Sequence, residues 1–196
     1  MKKFVITLLL AIAVSAIGHP GSGIVIDREG NVYFTDTGAG VWKYDIKQGK
    51  LFSMQASTFH WMAMDAMGYF ADSQRSFGNY FERVTEQGAK PTLVSCSDFP
   101  LTLARDGNIY YADTRHNTHR IMRRTAEGKE SVLASDKNFE FINGITMGPE
   151  GSLYVTIESE PQSNTISKID MNGKVTVFAT HRGQLIKDRP LGTRLS

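Results

Sequence analysis

His60, Asp98, Asp113, Arg115, His116, Asn143 and Glu158 are the side chains from which this chain could assemble a binding site. Carboxylates and imidazoles exchange protons and hold cations. A guanidinium grips anions with a planar fork, and an amide fixes orientation. None of the seven stands in a motif that dictates a reaction. His116 and His119 are three apart, which would place two imidazoles on one side of a helix. The segment Arg115-His116-Asn117-Thr118-His119-Arg120 reads as a loop, where that spacing has no special geometry. No Ser–His–Asp grouping, phosphate loop or paired-cysteine motif is present. Cys96 is the single cysteine and cannot form an intramolecular disulfide. Its neighbourhood, Leu93-Val94-Ser95-Cys96, reads as the end of a strand, with the thiol expected to act as a small buried hydrophobe.

The elements that must position these residues are clearest in Leu101–Ala134. Leu101–Leu103, Ile109–Ala112, Arg120–Arg123 and Ser131–Leu133 read as four short strands rich in β-branched and aromatic residues. Arg105-Asp106-Gly107-Asn108 and Glu127-Gly128-Lys129 supply the polar, positive-φ residues of tight turns. The unit recurs at residues 19–56, 57–97, 98–136 and 140–180. Early turns carry Gly30, Gly68, Gly107 and Gly151, spaced by 38, 39 and 44 residues, and late turns carry Gly49, Gly88, Gly128 and Gly173, spaced by 39, 40 and 45. A periodic glycine marks a periodic hairpin. The second repeat is degenerate: Trp61–Asp65, Tyr69–Ala71, Tyr80–Val84 and Thr92–Ser95 are expected as its first to fourth strands. Four antiparallel strands in about 40 residues is the size of one β-propeller blade. The fold expected is therefore all-β, a propeller with about four four-stranded blades.

Composition excludes several classes. The chain is 41% hydrophobic and 21% charged, as globular domains are. Met1–Ala16 pairs Lys2 and Lys3 with an apolar run from Phe4 to Val14 and small residues at Val14-Ser15-Ala16. It reads as a signal peptide too short to span a bilayer. The protein is thus expected to be secreted or periplasmic, with no membrane attachment after the leader is removed. Apart from Lys2 and Lys3, basic and acidic residues balance, so no footprint for nucleic acid is left.

The second strands carry a fuller signature. Asn31-Val32-Tyr33-Phe34-Thr35-Asp36-Thr37 and Asn108-Ile109-Tyr110-Tyr111-Ala112-Asp113-Thr114 resemble the NHL-repeat pattern, and Ile142-Asn143-Gly144-Ile145-Thr146 resembles the "N-G-I" segment of the SMP-30/gluconolactonase propellers. The resemblance covers about Gly23–Ala179. It implies first strands that line a central channel. Ser22, His60, Phe99 and Asn143 then stand at equivalent entry positions, and Asp36, Asp72, Asp113, Arg115, His116, Asn117 and Glu158 rim the same mouth. The aspartates are expected to accept loop N–H groups.

The resemblance further implies a ring that usually closes with six blades, so residues 181–196 read as a lead-in to another blade. An unclosed ring would leave Val32, Phe34, Leu153 and Val155 partly in water. The function expected is a binding module that takes a small molecule or a protein at the channel mouth. The alternative is a divalent-metal-dependent, gluconolactonase-like hydrolase of lactones or esters, with Ca²⁺, Mg²⁺ or Mn²⁺ held by Asn143. The pattern departs from that family where Asp98-Phe99-Pro100-Leu101 replaces its "N-D-L".

Overall fold

A computed structural model of the chain describes residues 23–55, 60–68, 80–85, 91–113, 119–139, 141–159 and 163–182. The expected leader, the Tyr69–Ala71 strand and residues 183–196 lie outside them. The described residues form fifteen strands and no helix. Blade 1 contains β1 (Ile24–Ile26), β2 (Val32–Asp36), β3 (Gly40–Asp45) and β4 (Lys50–Gln55). Blade 2 contains β5 (Trp61–Asp65), β6 (Phe81–Arg83) and β7 (Thr92–Cys96). Blade 3 contains β8 (Leu101–Leu103), β9 (Ile109–Asp113), β10 (Arg120–Arg124) and β11 (Glu130–Ser135). Blade 4 contains β12 (Ile142–Met147), β13 (Leu153–Ser159), β14 (Ser163–Ile169) and β15 (Val175–Arg182).

Blades 1, 3 and 4 are antiparallel meanders in chain order. Blade 2 is wired differently. Its order is β5-β7-β6, with Trp61 opposite Cys96 and Asp65 opposite Thr92. Thr92–Ser95, which the observed β7 extends by Cys96, was expected on the outside of the blade as its fourth strand. The observed strand instead occupies the second position, beside the channel strand, and all five of its residues are buried. A strand packed on both faces needs a continuous run without exposed charge, and Thr-Leu-Val-Ser-Cys meets that need.

The turns explain the glycine periods. Gly30, Gly68, Gly107, Gly151, Gly49, Gly128 and Gly173 all have positive φ, and Gly88 lies outside the described residues. Each early turn in blades 1, 3 and 4 closes in the same way. Asp27 N–H donates to the Asn31 carbonyl and Gly30 N–H to the Asp27 carbonyl, and the same pair of bonds recurs at Ala104/Gly107/Asn108 and at Gly148/Gly151/Ser152. At Gly173 a side chain faces a second obstacle. A Cβ there would lie 2.1 Å from the Leu133 carbonyl oxygen, so the turn of blade 4 presses directly on β11.

The core consists of three apolar seams between successive blades. Tyr33 and Val41 meet Met62 and Leu93 between blades 1 and 2. Phe81, Val94 and Cys96 meet Phe99, Leu101, Ile109 and Tyr111 between blades 2 and 3. Tyr110, Ala112 and Ile121 meet Ile142, Leu153, Val155 and Ile169 between blades 3 and 4. The first strands β1, β5, β8 and β12 face a shared central cavity of about 330 Å³.

The expectation for the outer faces needs one correction. Val32 and Phe34 are partly exposed, but Leu153 and Val155 are fully buried against blade 3. Strand alternation puts Tyr154, Thr156, Ile166 and Lys168 on the other face of blade 4, and the Phe178 ring packs edge-on against Tyr154 there.

Asp27 is a buried turn carboxylate that accepts four bonds. Its oxygens accept from Glu29 N–H (3.0 Å), Asn31 N–H (2.8 Å), the Asn31 amide (2.8 Å) and the Tyr33 hydroxyl (3.1 Å). Burial raises its pKa, but the bonds from Asn31, Tyr33 and Glu29 together outweigh burial and hold the carboxyl below its ordinary value. Asp27→Ala should destabilise the chain by about 2–3 kcal/mol at pH 7, because it strands buried donors. The sign with pH follows from the depressed value. The contribution is fully present above about pH 4 and is lost as pH falls through the folded-state value. Urea unfolding of the two proteins should therefore differ most at neutral pH, and the gap should narrow without closing in strong acid, where the protonated carboxyl still accepts part of these bonds.

Candidate binding site at the channel mouth

The end of the ring at which the first strands begin is tied together across blades. Thr35, in β2, receives the Gly23 N–H on its hydroxyl (3.1 Å) and sits 3.2 Å from the carbonyl of His60, the residue that leads into β5. In blade 3, His119 places a ring nitrogen 3.2 Å from the Phe139 carbonyl, on the segment that leads into β12. His119 is the one non-glycine residue with positive φ among those described, at 42°. Such a conformation persists where surrounding contacts fix it. Asp136 N–H donates to the His119 carbonyl, which supplies part of that constraint.

The expected site residues separate into distinct roles on this rim. Asn143 and Glu158 are brought together. The Asn143 amide donates to a Glu158 carboxylate oxygen at 2.8 Å, and both side chains are exposed. Beside them, at the mouth end of the face of blade 4 that turns away from blade 3, is a cavity of about 320 Å³ lined by Thr156, Ile157, Ile166, Ala179 and Thr180. His60 and Asp98 are exposed at the heads of blades 2 and 3. Asp113 is buried at the end of β9 and forms an ion pair with Arg120 at 3.1 Å. Asp36 accepts Gly38 N–H (2.8 Å) and Ala39 N–H (3.2 Å), the loop bonds expected of it. Arg115 and His116 lie outside the described residues, as do Ser22, Asp72 and Asn117.

Phe99, expected at an entry position, belongs to the core. It is 1% exposed, with its ring 5.7 Å from Tyr80 and 5.6 Å from Tyr111. An aromatic residue at the head of a strand is drawn into the seam between blades, whereas the charged Asp98 beside it stays in water.

Asn143 was expected to hold a divalent metal. With its amide nitrogen on Glu158, it offers one free oxygen, and Glu158 offers a carboxylate. Ca²⁺ takes six to eight oxygens, and Mg²⁺ takes an octahedral set. Among the described residues no group of three or more His, Cys, Asp or Glu side chains converges. Asn143 and Glu158 alone therefore do not make up a metal centre, although their amide and carboxylate can still hydrogen-bond a neutral or cationic ligand.

Sequence reasoning missed two positioning residues. Thr35 acts as a clamp because its hydroxyl is both donor and acceptor at a blade junction. The signal was its place in Tyr33-Phe34-Thr35-Asp36, where repeats two and three have Ala71 and Ala112. Arg120 was read only as the junction of a loop and the third strand of its blade, but it has a partner, Asp113, on the neighbouring strand, directly opposite in register.

Four sheets radiating from shared central strands define this protein as a β-propeller. No family model matches the chain, and no curated protein matches it. Solved structures do match. A streptogramin B lyase structure aligns with a TM-score of 0.53 at 20% identity, over 82% of this chain and 55% of its own. A virginiamycin B lyase from Staphylococcus aureus aligns with a TM-score of 0.47 at 20% identity, over 80% of this chain and 54% of its own. At this identity the likeness is one of fold, and the chain spans about half the length of these enzymes.

If Asp113 is structural, Asp113→Ala should cost about 1–3 kcal/mol, less than a fully buried pair because Arg120 keeps some contact with water. Asp36→Ala, at an exposed loop, should cost under about 1 kcal/mol. Thermal unfolding of the two variants checks this order.

Proposed function

We propose that this chain is an exported propeller module of the NHL/SMP-30 kind that binds a small polar molecule or an exposed protein segment at its channel mouth. The observation that carries the reading is the exposed Asn143–Glu158 pair beside a cavity lined by Thr156, Ile166 and Thr180. A few oriented polar groups at a concave, partly apolar surface are what fix a ligand's orientation. Asn143 supplies donor and acceptor, Glu158 a negative acceptor, and Thr156 and Thr180 hydroxyls. Such a set suits a neutral polyhydroxy molecule or a basic side chain. Hydrolysis requires further acidic ligands for a metal, and Asn143 and Glu158 do not supply them.

D-glucono-1,5-lactone is the informative probe, because it offers hydroxyls to the site and an ester to a hydrolase. The binding reading expects saturable binding, weakened about 5- to 20-fold by Glu158→Gln or Asn143→Ala, since each loses one hydrogen bond at least partly charge-assisted. It also expects no acid release above the uncatalysed rate with Ca²⁺, Mg²⁺ or Mn²⁺ present. Metal-dependent acid release that scales with protein and is lost in Asn143→Ala would overturn it in favour of the lactonase.

A further inference from the structure

At the end of the molecule opposite the mouth, the early turns of blades 3 and 4 enclose a cavity of about 400 Å³. Its walls are Leu103, Ala104, Tyr110, Met147, Pro149 and Met171. The equivalent cleft between blades 1 and 2 measures about 200 Å³.

The two clefts differ at several wall positions, and one of these differences bears directly on the buried tyrosine. Asp27 and Ala104 are structural equivalents, since each opens an early turn with the same pair of backbone bonds. Tyr33 and Tyr110 are equivalents on the second strands. In blade 1 the Tyr33 hydroxyl donates to Asp27 at 3.1 Å. In blade 3 alanine has replaced that aspartate. The local carboxylate is now Asp106, which is engaged with Asn108 through both the backbone N–H and the side-chain amide. Tyr110 is left with its hydroxyl 3.5 Å from the thioether sulfur of Met171, a weak acceptor. Burial, reinforced by the Asp106 charge, holds the Tyr110 pKa above its ordinary value, so the phenol remains a donor at neutral pH. A buried donor with a poor acceptor favours any ligand that brings a better one.

We propose that this inter-blade cleft is a binding site for a small, neutral aromatic molecule bearing a carbonyl, with the ring against Met147 and Met171 and the carbonyl oxygen accepting from Tyr110. The methionines favour an aromatic ring, because thioether sulfur contacts ring edges favourably and a flexible side chain adapts to ring shape. Asp106 and Arg105, which also line the cleft, carry opposite charges and leave no net charge to attract an ion, which suits a neutral ligand. The site is independent of the mouth and of any function there.

The test is titration of the full chain with acetophenone, followed by NMR of methyl-labelled methionines. Met147 and Met171 line the cleft; Met62, in the seam between blades 1 and 2, and Met64, which borders the equivalent cleft where Asp27 already takes the Tyr33 hydroxyl, serve as controls. The Met147 and Met171 methyl signals should shift saturably while Met62 and Met64 stay in place. Tyr110→Phe should weaken binding about 2- to 10-fold, as the loss of one neutral hydrogen bond does. Ala104→Asp, which supplies the acceptor that Asp27 supplies to Tyr33, should abolish the shifts. Tyr110→Phe removes one oxygen only and decides the matter if Ala104→Asp fails to fold. Absence of shifts in the wild type, equal shifts at Met62 and Met64, or unchanged affinity in Tyr110→Phe would each overturn the proposal.

Discussion

The structure depends on burying both faces of the second strand in the interior blades. Within β9, Ile109 and Tyr111 pack toward blade 2 and Tyr110 and Ala112 toward blade 4. Every residue of the strand is buried, including Asp113. Each large side chain withdrawn from water contributes roughly 1.5–3 kcal/mol, so one strand serves two seams and couples three blades. This arrangement also makes Asp113 structural. A carboxylate at the end of a doubly buried strand must be paired, and Arg120, directly opposite on β10, is the available cation.

Among the described residues, blades 1 and 4 each pack against one other blade. Directly opposed residues on β1, β2 and β3 put Ile24, Phe34 and Trp42, and likewise Ile26, Val32 and Tyr44, on one face of blade 1. Ile24 is 65% exposed and Ile26 61%. The corresponding face of blade 4 is more polar. Glu150 bridges the Tyr154 hydroxyl and Lys168, and Lys168 lies 5.7 Å from the Tyr154 ring centroid. The two faces therefore differ in chemistry: one is a largely apolar sheet surface, the other an ion-paired surface with Phe178 at its edge.

Much of this architecture was legible because hairpin turns impose a local requirement. A tight turn needs positive φ, glycine supplies it at no steric cost, and the glycines recur with the blade. The second strands were legible for the same kind of reason, as aromatic and β-branched runs without charge. Blade 2 was misread because strand pairing is not local. Thr92–Cys96 forms the expected hairpin partner of β6, yet nothing in its own residues says which strand lies on its other side. The face of Leu153 and Val155 was misassigned because continuous apolar runs lack the alternation that distinguishes one face from the other. At the mouth, the pairing of Asn143 with Glu158 follows from placing β12 against β13, whereas Phe99 was misjudged because an entry position says nothing of which way a side chain turns. The cleft beside Tyr110 was not legible, since Ala104 is unremarkable until it is superposed on Asp27.

Hydrogen exchange resolved by residue tests the central claim most directly. If β9 is the doubly packed strand on which the seams depend, the amides of Tyr110, Tyr111 and Ala112 should exchange only through global unfolding, with the slowest rates in the chain. The amides of β4, at the outer edge of blade 1, should exchange faster by local opening. Exchange of Tyr110–Ala112 at the rate of β4 would contradict the account and show that the blades are held by something other than the two-sided burial of their second strands.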